Sequence, residues 1–180
     1  MYTTIKTTLA SAAPDLQGLN AERYHRPVSG GIQEYMEAVL FQYYLEHERL
    51  MTYEDAAKSL PDGIALTFAD YVLGLFDMTG ELMRFAVTYM ATHQALPGVA
   101  EGRSNILSDM QDIRSQLEML NVGGSYTLSK EFDKKLSVTR NSVEKVEKGV
   151  YSMLVRGKER PKGWRPDTEG PRESEQVESY

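Results

Sequence analysis

The sequence predicts an all-α fold, an antiparallel bundle of about six or seven helices. Apolar residues recur at spacings of three and four over long segments, and the period-two alternation typical of strands is nearly absent. The chain has 180 residues, of which 41% are hydrophobic, so it is long enough to form one domain with a sizeable core.

Two prolines divide the first thirty residues. Helices are predicted over 2–13, ending before Pro14, and over 16–26, ending before Pro27. Proline lacks the N–H that a helix interior needs and restricts the residue before it, so both helices are expected to stop there.

The next helix, predicted from Gly31 or Ile32 to about Arg49, carries acids on an apolar surface. Glu34 and Glu37 share one face, because residues three apart are neighbours on a helix. The opposite stripe is apolar throughout: Ile32, Tyr35, Met36, Val39, Leu40 and Tyr43. A helix that is apolar nearly all round is buried, so both acids are expected to be partly buried. The alternative is a solvated first turn, where the helix dipole stabilises each acid by about 0.3 to 1 kcal/mol.

Two hydroxyl–acid pairs mark the starts of the following helices. Thr52 with Asp55, and Thr67 with Asp70, have the capping-box spacing, in which the hydroxyl accepts a free N–H of the first turn. A Pro-Asp-Gly sequence ends the first of these helices, and the second is expected to continue to about His93.

Asp77 and Glu81 lie one turn apart in that long helix. Like charges at this spacing cost only about 0.2 to 0.5 kcal/mol on an exposed helix. The cost rises to several kcal/mol on desolvation, since two charges about 4 Å apart interact by about 4 kcal/mol at an effective dielectric of 20. Arg84 is a simple ion-pair partner for Glu81, and these residues belong to a readable polar stripe: Asp70, Gly74, Asp77, Glu81, Arg84 and Thr88.

Two amphipathic helices follow a loop marked by Pro97-Gly98 and Gly102. Ser104 is the expected cap of the first, which ends at Gly123-Gly124 and has its apolar residues at helical spacing: Ile106, Met110, Ile113, Leu117 and Leu120. The second starts near Thr127 and has a heptad-like seam: Leu128, Phe132, Leu136, Thr139, Val143, Val146, Val150 and Met153. Such a seam predicts a helical neighbour.

Composition sets the domain limits and excludes several classes of protein. Residues 1–157 are predicted to form a single domain, and 158–180 a flexible polar tail, because the tail has almost no apolar residues to bury. The net charge of −6 argues against an autonomous nucleic-acid binder, and the absence of cysteine excludes disulfides and thiol catalysis. No apolar run approaches the roughly 20 residues of a membrane span, so the chain is expected to be soluble and intracellular.

The four acids together predict a metal site. Glu34, Glu37, Asp77 and Glu81 could converge on one hard cation, although spacing alone leaves open whether their two helices face each other. Magnesium suits them, because it takes oxygen ligands and can activate both a phosphoryl group and water, which is the chemistry of phosphodiester hydrolysis. The three histidines form no helical pair and no Glu-x-x-His with these acids, so zinc hydrolases and di-iron bundles fit poorly.

The other motifs in the sequence give weaker evidence of a function. The sequence has no P-loop, no Gly-x-Gly-x-x-Gly and no Gly-x-Ser-x-Gly. Several aromatic residues could stack on bases, but their helical spacing favours a place in the core or an interface: Tyr35, Phe41, Tyr43, Tyr44, Phe85 and Tyr89. The basic residues of the last helix alternate with acids, which favours an ordinary solvated face over a phosphate-binding one: Lys134, Lys135, Arg140, Lys145 and Lys148.

Three segments resemble the translin superfamily, in its translin-associated factor X branch. They are GIQEYMEAV at 31–39, DYVLGLFDMTGELMR at 70–84, and 143–157, from VEKVE to VRG. The resemblance runs in order over about 24–159. It implies an all-helical translin-like bundle that co-assembles with translin into a hollow octamer and cleaves RNA with magnesium.

The resemblance also assigns roles to residues. It places Glu34, Glu37, Asp77 and Glu81 in the acidic cleavage site of the family, with Mg²⁺, or Mn²⁺ in its place, as the cofactor. It implies the catalytic subunit of an endoribonuclease for single-stranded RNA, such as small-RNA passenger strands or fragments from transfer-RNA processing. Arg84 is expected to contact a scissile phosphate or to form a salt bridge with Glu81.

Assembly and location follow from the same resemblance. A basic surface on translin could gather RNA for this acidic chain, and a cytoplasmic and nuclear location is implied. Part of the long N-terminal helical region of the family, and any import signal ahead of it, is expected to be missing before Met1. The alternative function is a non-catalytic assembly subunit that binds RNA or DNA, whose acids serve as caps and ion pairs and which needs no metal.

Overall fold

The structure, a computed structural model, describes residues 2–97, 105–123 and 126–156, and within them it is all-helical. The α-helices are α1 (Tyr2–Ala12), α2 (Leu19–His47), α3 (Tyr53–Ser59), α4 (Phe68–His93), α5 (Ile106–Glu118) and α6 (Tyr126–Arg156), with a 3-10 turn at Ala13–Asp15. The predicted bundle of about six or seven helices is confirmed. No helix in the described ranges is both long enough and apolar enough to cross a bilayer.

Helix α2 is longer than the sequence predicts. The expected break before Pro27 is wrong, because α2 runs without interruption from Leu19 and has Pro27 inside it. A proline in a helix interior costs about 3 kcal/mol, so contacts made by the neighbouring turns must offset that cost. His25 and Ser29, on either side of the proline, both bind the buried carboxylate of Asp70 in α4.

The threonine cap of each predicted capping box is confirmed. The Thr52 hydroxyl accepts the Asp55 N–H at 3.2 Å, and the Thr67 hydroxyl accepts the Asp70 N–H at 3.1 Å. Each cap fixes the residue at which its helix begins. It therefore also fixes the face of the helix on which each following residue lies.

The start of α5 differs from the prediction by one residue. Asn105 is the cap, and its side-chain oxygen accepts the Ser108 N–H at 3.0 Å. The helix ends at Glu118 rather than at the predicted glycine pair. Predictions made for several positions lie outside the described residues: Gly98, Gly102, Ser104, Gly124 and the tail at 158–180.

The three long helices α2, α4 and α6 lie side by side and run in the same direction. Later residues of α4 contact later residues of each partner helix. On α2, Asp70 meets Ser29 and Phe85 meets Phe41. On α6, Phe76 meets Phe132 and Met90 meets Gly149. The antiparallel direction predicted for the bundle applies to α5, which pairs in the reverse sense with α6 through Gln111–Glu147 and Glu118–Arg140. Parallel neighbours need a return segment, which α3 and α5 supply.

The seam predicted for α6 faces the core. Its members from Leu128 to Val146 are buried, and Val150 and Met153 are partly buried. One polar contact lies within it, where the hydroxyls of Thr79 and Thr139 are 3.0 Å apart and both are buried. This hydrogen bond fixes α6 against α4 two residues beyond Asp77.

Candidate functional site

Three of the four predicted acids lie together where α2 meets α4. Glu37 is partly buried, and burial is the largest cause of its raised pKa, followed by the negative charges of Asp77 and Glu81. The nearby positive charges of Arg84 and Lys135 act in the opposite direction on the same pKa. Negative charge is therefore concentrated around Glu37, and two side-chain cations partly neutralise it.

Glu34 does not share this environment. It is exposed, one turn before Glu37, so the partial burial expected for both acids is correct for Glu37 and wrong for Glu34. The alternative of a solvated first turn is also wrong, because α2 begins at Leu19 and both acids lie well inside it. The dipole at the helix N-terminus therefore does not explain them, since its effect falls off within the first turn.

Gly74 is the residue that lets Glu37 approach Asp77. A Cβ atom at position 74 would lie 3.1 Å from the Gln33 carbonyl oxygen and 3.3 Å from the Glu37 amide nitrogen. The backbone of α2 passes directly over this glycine, one turn before Asp77. The predicted polar stripe through α4 is not a solvated face at this end, because Asp70 and Gly74 are both buried.

Lys135 of α6 closes the acidic cluster from the other side of α4. Its ammonium nitrogen lies 2.5 Å from one oxygen of Asp77 and 2.6 Å from the other. Its side chain is only 19% exposed, so the interpretation of the basic residues of α6 as a solvated face is wrong for Lys135. One signal could have identified it, since Lys135 lies three residues after Phe132 and four before Thr139, at the edge of the apolar seam.

The predicted ion pair between Arg84 and Glu81 is confirmed. The Arg84 guanidinium donates to the Glu81 carboxylate from one turn further along α4. The Arg84 side chain is 72% exposed, and exposed pairs of this kind contribute about 0 to 1 kcal/mol. Arg84 can therefore exchange this partner for another anion at little cost.

A shallow recess of about 240 Å³ opens beside the cluster, between α4 and α6. It is lined by Phe76, Asp77, Glu131, Lys134, Lys135 and Val138. Two acids and two lysines therefore line the same recess.

The donor set suits a hard cation, but its side chains are turned toward basic partners. Within the three described ranges, no group of three or more acids or histidines is arranged to hold a metal ion. Asp77 and Glu81 are directed toward Lys135 and Arg84. Carboxylate oxygens are nevertheless the ligands that magnesium prefers, and the ammonium across both oxygens of Asp77 occupies a position that favours positive charge.

A second polar cluster, which sequence reasoning identified only as a cap, is centred on Asp70. This carboxylate is 1% exposed and accepts hydrogen bonds from Ser29 at 2.5 Å, Gln33 at 3.0 Å and Thr67 at 2.7 Å. The His25 ring nitrogen Nε2 lies 3.0 Å from Oδ2, the oxygen that also accepts from Thr67. Asp70 therefore fastens α2 to the start of α4 on the N-terminal side of the Gly74 contact.

Comparison with known proteins gives consistent matches. The sequence profile described as the Translin family matches residues 1–157. The chain is 35% identical over 152 aligned positions to the Translin-associated protein X homolog of Schizosaccharomyces pombe, covering 84% of this chain and 62% of that protein. It is 28% identical over 182 positions to Translin-associated protein X of Mus musculus, covering 88% and 60% of the two chains.

Proteins named Translin also match. The chain is 27% identical over 162 aligned positions to Translin of Mus musculus, covering 87% of this chain and 67% of that protein. It spans about three-fifths of the length of the relatives named Translin-associated protein X.

Proposed function

The chain belongs to the translin family, and we propose that it is the RNA-cleaving subunit of a translin-type complex, a magnesium-dependent endoribonuclease. Its similarity to proteins named Translin-associated protein X confirms the resemblance drawn from its acid-bearing segments. The observation that supports cleavage is the meeting of Glu37, Asp77 and Glu81 beside a recess between helices.

Each acid has a proposed role in this reaction. Asp77, Glu81 and Glu37 would hold the cation, with Glu34 reaching in from its exposed position on α2. A bound magnesium ion supplies Lewis-acid activation of the phosphoryl group and of water. One of these carboxylates would also orient the attacking water or take a proton from it.

The basic residue at the edge of the site is proposed to steady the substrate. Arg84 is mostly exposed, and a guanidinium can bind a phosphate through two parallel hydrogen bonds. Water adds to phosphorus, the bond to the 3′ oxygen breaks and that oxygen takes up a proton, so the products carry a 5′-phosphate and a 3′-hydroxyl. Single-stranded RNA is the proposed substrate, as small-RNA passenger strands or transfer-RNA processing fragments.

The proposed partner is translin, in a hetero-octamer. The net charge of this chain is −6, so it is poorly suited to collect RNA by itself. Relatives named Translin are similar over most of the chain, which supports a partner of the same fold that contributes the basic surface.

The test is RNA cleavage by a complex reconstituted with translin, measured across a Mg²⁺ titration. Glu37→Gln is expected to abolish cleavage while the mass of the assembly stays unchanged. Glu46→Gln is the matched control, because Glu46 is exposed on the same helix more than two turns away. Undiminished magnesium-dependent cleavage by the Glu37 variant would remove that residue from the mechanism.

The rival is a non-catalytic assembly subunit, and one observation favours it. Asp77 and Glu81 already have basic partners, as expected of acids whose role is structural. This rival predicts that replacing all four acids, Glu34 included, leaves RNA binding and any RNA turnover of the complex unchanged, and that Mg²⁺ has no effect.

A further inference from the structure

Building on the proposed function, we propose that Lys135 is a built-in competitor of the metal, whose ammonium must leave Asp77 before a divalent cation can bind there. The ammonium spans both oxygens of Asp77, at 2.5 and 2.6 Å. The ammonium therefore places a positive charge beside both oxygens that a divalent cation would use. Lys135 therefore sets the concentration of metal at which the site fills.

The backbone of Lys135 is fixed, so only its side chain can move. One turn before it, Phe132 packs edge-on against Phe76 with ring centroids 5.4 Å apart. One turn after it, Thr139 is held by the buried hydroxyl of Thr79 at 3.0 Å. These contacts prevent α6 from sliding along α4, which leaves rotation of the flexible lysine stem as the way to release Asp77.

The recess between α4 and α6 can accommodate the Lys135 ammonium after it leaves Asp77. It has a volume of about 240 Å³ and is lined by Glu131, one turn before Lys135 on α6. A glutamate four residues ahead of a lysine is a favourable helical pair. Lys135 can therefore exchange Asp77 for Glu131 without leaving its charge unpaired.

Electrostatic repulsion prevents the Lys135 ammonium and a divalent cation from binding Asp77 at the same time. An ammonium and a divalent cation on the same carboxylate would lie within a few ångströms of each other, where like charges repel strongly in a partly buried site. Lys135 is 19% exposed, so solvent screens this repulsion only in part. Metal binding and the Lys135–Asp77 pair thus compete.

The experiment measures Mn²⁺ binding to the full chain, from the electron paramagnetic resonance signal of free Mn²⁺. Lys135→Met removes the competing charge and keeps the apolar stem. Lys134→Met is the matched control, because it removes the same charge from the same recess, and Lys134 has no close contact with Asp77 described in the structure. Lys135→Gln serves in its place if circular dichroism shows that the methionine variant does not fold.

We expect Lys135→Met to bind Mn²⁺ about tenfold more tightly than the unsubstituted chain, and Lys134→Met less than about threefold more tightly. Equal affinities for the unsubstituted chain and Lys135→Met would overturn the inference and leave the proposed nuclease standing. Absence of Mn²⁺ binding from all the chains would overturn the inference about Lys135, whereas the Mg²⁺ titration of the translin complex decides the proposed nuclease. If the translin complex does not cleave RNA while Lys135→Met still binds Mn²⁺ more tightly, the proposed function is refuted. The inference that Lys135 competes with the metal is then supported.

Discussion

Gly74 of α4 lies against Met36 of α2 so closely that a Cβ atom at position 74 would stand 2.5 Å from the Cβ of Met36. Real Cβ atoms do not approach one another to this distance, so any other residue at position 74 must push the helices apart. Glu37 follows Met36 directly, and Asp77 is one turn beyond Gly74. The separation of the two acids is therefore set by a backbone contact.

Gly74→Ala should destabilise the protein by about 1 to 3 kcal/mol, the usual cost of overpacking a close helix contact. It should also lower RNA cleavage, because α2 moves away from α4 at the acids. Gly80→Ala in the same helix is the control, since a Cβ there meets nothing within 4 Å. That change should stabilise the protein by about 0.5 to 1 kcal/mol. Urea unfolding compares the two, and equal effects would contradict this account.

Glu37→Gln should raise the melting temperature at pH 7 in the presence of a chelator. The pKa of Glu37 is raised above its ordinary value of 4.5, so the charged carboxylate is less favourable in the folded state than in the unfolded chain. This penalty is fully present above the folded pKa and disappears as the pH falls below the ordinary value. The advantage of glutamine should therefore shrink toward pH 4. Glu34→Gln, at an exposed position, should change little, and a Glu37 variant less stable at pH 7 would refute the prediction.

Asp70→Asn should cost about 3 kcal/mol or more, as expected when one member of a buried charged network is removed. An amide cannot accept all the hydrogen bonds that Ser29, Gln33 and Thr67 donate to the carboxylate. Asp112→Asn is the control, because Asp112 is exposed on α5 and its replacement should stay within about 0.5 kcal/mol. Similar midpoints in urea for the two variants would show that the network around Asp70 contributes little.

Glu118→Gln should make the protein less sensitive to acid. A hydrogen bond from Arg140 of α6 is the largest cause of the lowered pKa of Glu118, and the charge of Arg114 adds to it. A lowered folded pKa stabilises the protein above the ordinary value of 4.5, and this stabilisation is lost as the pH falls through the folded value. Melting curves from pH 6 to about pH 3 should therefore flatten for this variant. Glu144→Gln, which breaks only an exposed pair with Lys148, should leave the curve unchanged.

Much of the helical layout is predictable from the sequence, because it depends on local interactions. The hydroxyl of Thr67 and the N–H of Asp70 are three residues apart, so their hydrogen bond can be inferred from spacing alone. The seam from Leu128 to Val146 likewise repeats with the period of a helix and proved to be buried. The unusual acids Glu37 and Asp77 are visible for the same reason, since each interrupts an apolar pattern.

Other features depend on which helices meet, and spacing within one segment does not contain that information. The sequence predicts a break at Pro27, whereas bonds from His25 and Ser29 to a residue in another helix accompany a continuous α2. Lys135 looks solvated among its charged neighbours and is instead drawn onto Asp77, 58 residues away.

The sequence by itself determined most of the helices, the threonine caps of α3 and α4, and the family, and it identified four acids as candidates for a metal site. Only the tertiary structure decided that the long helices run in parallel, that Glu34 is exposed while Glu37 is not, and that Lys135 neutralises Asp77. The physical reason is that hydrogen bonds within a helix connect residues three or four apart, whereas burial and charge pairing connect residues that the chain brings together from a distance.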